Sequence, residues 1–218
     1  MWLINSSVGR KVVMSVTGLF LILFVTFHAL MNAVAMFSFD AYEAVCEFLG
    51  ANWYALLGTA VLAAGAVIHI CFAFWLTLQN RKGRGGDRYA VTARPKSVEW
   101  ASQNMLVLGI IVLCFLVLHL YQFWAHMQLP EIMGDMPLGG RDAIQAAFSQ
   151  LWVLPVYLIA FAALWLHITH GFWSALQTLG TAGDTWITRW KCIGWLWASL
   201  VMGLLAVEAC YFTWFFAI

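Results

Sequence analysis

Five long stretches of the chain are almost uninterrupted in their apolar character, near residues 12–37, 53–79, 100–127, 151–179 and 190–217. None alternates with the period of two expected of a half-buried strand. Each reaches or exceeds the roughly 20 residues that an α-helix needs to cross about 30 Å of hydrocarbon. The pattern predicts an all-α membrane protein of five transmembrane helices packed as a bundle, with residues 1–218 forming a single membrane-spanning domain. Between the first two spans SFDAYEAVCEFLG, and ahead of the fourth the Gly- and Pro-containing stretch Met133 to Gln150, read as short interfacial helices and turns. No internal repeat or low-complexity tract interrupts this plan.

Composition agrees, with 63% apolar residues and 10% charged, a balance suited to hydrocarbon. The charges sharpen the topology. Ten of the eleven Lys and Arg fall at the N-terminus (Arg10, Lys11), in the second connection (Arg81, Lys82, Arg84, Arg88, Arg94, Lys96) and in the fourth (Arg189, Lys191), leaving Arg141 opposite. The positive-inside rule then predicts a cytoplasmic N-terminus and an outer C-terminus. The basic, Gly-rich RKGRGGDRYAVTARPK is a topogenic signal or a docking loop for a soluble partner. A net charge of +1 gives no reason to expect nucleic acid. The first apolar run is too long, and lacks the small-residue cleavage site, for a signal peptide, so it reads as a retained span. The five cysteines form no CxxC or CxxCH and read mostly as packing residues.

Four of the six histidines (His28, His69, His119 and His167) fall one in each of the first four spans. An ionisable ring in hydrocarbon is costly without a task, and although one could serve packing, four in four helices point to ligation. At 1.5 Å per residue, His28 lies about 25 Å beyond Val12 and His119 about 28 Å beyond Trp100, both toward the outer leaflet. His69 and His167 lie about 16 to 18 Å from the cytoplasmic ends of their helices. The result is two layers about 10 Å apart, pairing His28 with His119 and His69 with His167. Two axial imidazoles with no open position suit an electron-transferring haem b in each layer. A single metal site would need its ligands at one depth. A proton relay would carry carboxylates inside the membrane, and the one deep carboxylate, Glu208, is expected near the outer end of the last span. The small residues Ser15, Thr17 and Gly18, and Ala60, Ala63, Ala64, Gly65 and Ala66 ahead of His69, fit a macrocycle between helices or ordinary close helix packing.

The stretches SVTGLFLILFVTFH, VLHLYQFW and LHITHGFWSALQTLG resemble the dihaem cytochrome b subunit of succinate:quinone oxidoreductases. The resemblance covers essentially the whole chain and is specific in combination. It implies a multi-pass anchor in a bacterial cytoplasmic (inner) membrane, carrying two haem b. On the cytoplasmic face it implies a flavoprotein subunit with FAD and an iron-sulfur subunit, and it admits a dimer of heterotrimers. His28 and His119 would hold the distal haem, His69 and His167 the proximal one. The histidine four residues before Gly171 is selected as ligand, leaving His170 as a haem neighbour, a propionate partner or an alternative ligand.

Menaquinone or menaquinol would be the membrane substrate. The family's outer quinone site uses an acidic residue of the first outer connection, for which Glu43 and Glu47 are candidates. His126 is either a further quinone-site residue or a headgroup-level histidine. Some fumarate reductases carry a Glu two residues before the fourth-span ligand, proposed to return protons; this chain has Trp165 there, which predicts electrogenic turnover. The expected direction runs from quinol at the outer face to fumarate inside, or the reverse. Competing readings are the cytochrome b subunit of a hydrogenase or formate dehydrogenase, and a haem-free transporter.

Overall fold

The computed structural model describes residues 6–50, 52–83 and 99–218. Among these the chain is helical, with no strand, and five helices are long and apolar enough to cross a membrane. The first, α1 (Ser7–Phe37), starts where the Ser6 hydroxyl accepts from the Gly9 amide at 2.9 Å, satisfying one of the free N–H groups of its first turn. It ends at Ser38, which is extended at φ −157° and in turn caps the next helix by accepting from the Ala41 amide at 3.2 Å. One serine thus sets the corner between a spanning helix and the short α2 (Phe39–Phe48), where Asp40 in the first turn complements the helix dipole.

The second span is α3 (Trp53–Gly83). The third is less regular than its unbroken apolar pattern suggests. A single turn, α4 (Trp100–Gln103), is separated at Asn104 from α5 (Met105–His119), and α5 passes directly into a π-helical turn over Leu120–Trp124, where the Ala125 amide reaches the Leu120 carbonyl at 2.9 Å. Such a turn inserts one residue into the helical repeat and re-aims the side chains beyond it, and it often marks functional positions. Two short helices follow, α6 (Gln128–Met133) and α7 (Gly140–Phe148), then the fourth and fifth spans α8 (Val153–Thr178) and α9 (Asp184–Ala217). Gly180, at φ +81°, closes α8: its amide and that of Thr181 turn back to the carbonyls of Gln177 and Leu176 at 3.1 and 3.0 Å.

The densest packing joins α8 and α9 with α1, α2 and α7 through Tyr42, Phe148, Val153, Tyr157, Phe161, Ala198, Met202 and Phe212. The second span differs, for among the described residues none of α3 is fully buried. Large side chains such as Leu23, Val61, Val107, Leu200 and Trp214 face outward, as a lipid-facing surface requires and a water-facing one does not. Cys71, Cys114, Cys192 and Cys210 also lie exposed on helix flanks, against the expectation of packing roles; a cysteine behaves as a small apolar group, and lipid accepts it as readily as a core. Cys46 alone is half-buried, and burial pushes its thiol up to about 11. Arg84, Arg88, Arg94 and Lys96 of the basic connection lie outside the described residues.

Candidate functional site: two histidine pairs

The rings of His28 and His119 lie 5.6 Å apart between centroids, nearly perpendicular at 85°, and those of His69 and His167 lie 6.4 Å apart at 66°. A metal-bound imidazole nitrogen sits about 2 Å from its metal, so two rings on opposite sides of one ion have centroids about 6 Å apart. Both pairs match that separation. Among the described residues no three His, Cys, Asp or Glu side chains gather at one point, and the four histidine rings stand as two pairs.

The His28–His119 pair, the one expected nearer the outer face, is walled by aromatic rings. Phe24 stacks on His28 at 5.5 Å, while Phe115 and Phe123 lie 5.7 and 5.0 Å from His119. His119 is the last residue of α5 before the π-turn, and its Nδ1 lies 3.2 Å from the Tyr157 hydroxyl, which donates to Gln122 Oε1 at 2.8 Å. The π-turn carries Gln122, so this irregularity helps place the acceptor of the Tyr157 proton beside His119.

In the His69–His167 pair, the one expected nearer the inner face, Thr17 Oγ1 on α1 lies 3.2 Å from His69 Nδ1 and donates to the carbonyls of Val13 and Met14 at 2.9 and 3.1 Å. His167 Nδ1 is buried without a hydrogen-bond partner. Gly18 makes room here, since a Cβ on it would come 3.2 Å from His69 Cε1. Gly65 does something else: its Cβ would meet the Phe20 ring at 3.0 Å, which is close packing of α1 on α3. The small residues of α1 and α3 thus divide between ring space and helix packing. Gly171 meets nothing within 4 Å, so its place after His167 is no close approach.

His170 turns away from the inner pair. Its Nδ1 lies 3.4 Å from Glu99 Oε2, and Lys191 Nζ lies 2.7 Å from Glu99 Oε1. Burial would raise the Glu99 carboxyl, but the hydrogen bonds from Lys191 and His170 outweigh it and hold the group below its usual range. His170 therefore belongs to an ion-pair cluster joining the ends of the third, fourth and fifth spans, while His167 faces His69.

The three quinone-site candidates do not converge. Glu43 accepts from the backbone amides of Gly140 and Arg141 at 2.9 and 2.8 Å, one per carboxylate oxygen. Both oxygens are engaged at the N-terminus of α7, where the chain passes so close that a Cβ on Gly140 would come 2.6 Å from Cys46 Sγ. Glu47 is exposed on α2. The His126 Nδ1–H donates to the Tyr121 carbonyl at 2.7 Å, and no hydrogen bond or ion pair joins His126 to either glutamate among the described residues. Glu43→Ala should loosen α7 by about 1 kcal/mol, the usual worth of an N-terminal cap, seen as faster hydrogen exchange at the Gly140 and Arg141 amides. Glu47→Ala should leave those amides unchanged, and equal exchange in both variants would contradict the assignment.

Trp165 donates from Nε1 to Ser199 Oγ at 2.9 Å, tying α8 to α9. An indole N–H gives a hydrogen bond but accepts no proton. Glu208, placed by its sequence position near the outer end of the last span, is 4% exposed, and its Oε1 has no hydrogen-bond partner. No family model, no curated protein and no solved structure matches the chain.

Proposed function

We propose that the chain is the membrane-anchor and quinone-reactive subunit of a succinate:quinone oxidoreductase, in the form of a quinol:fumarate reductase or its succinate-oxidising counterpart. The observation that carries this reading is the pair of ring separations, 5.6 and 6.4 Å, between histidines on different helices within five apolar spans. Two haem b, held by His28 with His119 and by His69 with His167, would supply one-electron transfer across the bilayer. The family resemblance of the sequence supplies the partners: a flavoprotein with FAD and an iron-sulfur protein on the cytoplasmic side, where the basic N-terminus and basic connections lie by the positive-inside rule.

The residues of the chain have separable tasks. Each histidine pair fixes a plane between helices and supplies two lone pairs to it. The aromatic wall of Phe24, Phe115 and Phe123 excludes water from the outer plane and lowers the local dielectric. His126 and Glu47 remain candidates to accept protons from menaquinol at the outer face, because Glu43 is engaged with backbone amides. Trp165, hydrogen-bonded to Ser199, offers no return path for protons.

Proton release outside and consumption inside, with Trp165 in place of a proton-carrying side chain, would make turnover electrogenic. Each electron crossing the membrane works against or with about 2.3 kcal/mol per 100 mV. The purified complex in proteoliposomes should reduce fumarate with a menaquinol analogue and build a membrane potential as it does so. A complex without a covalent flavoprotein or fumarate reduction would contradict the assignment and favour another dehydrogenase's cytochrome b. Turnover without a change in potential would contradict the role of Trp165.

A further inference from the structure

Each histidine pair contains one ring with a hydroxyl neighbour and one without. Tyr157 is 3% exposed, and its hydroxyl has a single proton, given to Gln122 Oε1, which can only accept. The 3.2 Å contact to His119 Nδ1 must therefore run the other way, from Nδ1–H to the phenol oxygen. Thr17 stands in the same relation to His69. Its one hydroxyl proton is shared between the Val13 and Met14 carbonyls, so Oγ1 accepts from His69 Nδ1–H at 3.2 Å. In both rings the proton is fixed on Nδ1 and the lone pair on Nε2. The other members differ: among the described residues the His28 ring makes no hydrogen bond, its backbone carbonyl alone accepting one from Asn32 Nδ2 at 2.8 Å, and His167 Nδ1 is buried without a partner.

We infer that Tyr157, oriented by Gln122, and Thr17, oriented by its own helix carbonyls, are positioning residues that fix the tautomer and raise the basicity of one axial ligand in each layer, His119 and His69, and so set the two haem potentials independently. The inference rests on the haem reading proposed above. An acceptor on the far nitrogen makes a metal-bound imidazole a stronger donor and favours the oxidised metal. Hydrogen bonding beyond the ligand is one of the few means a protein has of tuning a haem. A hydroxyl whose only proton is already committed serves this purpose well, because it can present only a lone pair.

The test is a redox titration of the b-type bands in the intact complex, with wild type, Thr17→Val, Thr17→Ser and Tyr157→Phe. Thr17→Val should shift one haem about tenfold toward the reduced form, the lower end of what loss of a ligand's outer partner does to metal sites, which for a one-electron couple is about 59 mV upward. Tyr157→Phe should shift the other haem in the same direction and leave the first in place. Thr17→Ser, which keeps the hydroxyl, should titrate as wild type. Thr77→Val is the control for loss of a helix hydroxyl, since Thr77 bonds only the Ala73 carbonyl, and it should move neither haem. If Tyr157→Phe does not assemble, Gln122→Leu should move the potential of the same haem by freeing the phenol proton. Two bands that ignore these substitutions, a shift of the same haem by both, or a Thr17→Ser variant behaving as Thr17→Val would overturn this inference alone. A wild-type complex without two b-type bands would overturn the haem reading and this inference with it.

Discussion

Alanine at His119 should remove one of two b-type absorption bands, and alanine at His28 should remove the same one, leaving the other band at full amplitude. The loss should be complete because the flanking rings Phe24, Phe115 and Phe123 offer no lone pair to replace the missing imidazole, and the Tyr157 hydroxyl is held by Gln122. His69→Ala and His167→Ala should likewise share one effect, on the other band. His170 is three residues from His167 but is held toward Glu99 with Lys191, so it should not rescue the His167 variant. Difference spectra of the four variants check the pattern. Loss of both bands from one substitution with normal assembly, or a shared effect of His28 and His69, would contradict the pairing.

Gly18→Val should remove the inner band without touching a ligand. Even a single added carbon would lie 3.2 Å from His69 Cε1, and valine adds two more that cannot turn away from a helix neighbour freely. Overfilling a packed position typically costs about 1 to 3 kcal/mol. The ring has less resistance to offer than the helix backbone, so the displacement falls on His69. Gly109→Ala is the contrast: its Cβ would sit 3.7 Å from His167 Cε1, an ordinary contact, and both bands should survive. The ratio of the two bands in each variant is the readout. An intact inner band in Gly18→Val would mean that α1 and α3 separate easily and that Gly18 does not shape the ring's position.

The five long apolar helices, and which histidine rings approach each other, were legible because both depend on simple periodicities: a run of apolar residues matched to bilayer thickness, and a fixed rise per residue. The interfacial helices α2 and α7 were legible for a related reason, since Ser38 and the Gly139–Gly140 step mark their starts. The hydroxyl neighbours of two of these histidines were not. Thr17 and His69 are 52 residues apart, and Tyr157 and His119 are 38, so only the packed bundle brings them together. The π-turn after His119 was hidden too, because a helix that gains one residue keeps the same apolar composition.

Glu43 illustrates the limit most clearly. An acidic residue in an outer connection suggests proton chemistry at a quinone. Its two oxygens instead accept from the Gly140 and Arg141 amides, a task set by a contact 97 and 98 residues along the chain. The mixed character of the small residues has the same origin. Gly18 and Gly65 look alike along the sequence, and only the neighbour that each would strike, His69 or Phe20, separates ring space from helix contact.

Whether two histidine pairs each hold a haem b is decided by the haem content of the purified wild-type membrane protein. The expected result is two non-covalently bound b-type haems per chain, resolved as two components in a redox titration. A protein that purifies folded with no b-type band, or with a single haem per chain, would contradict it.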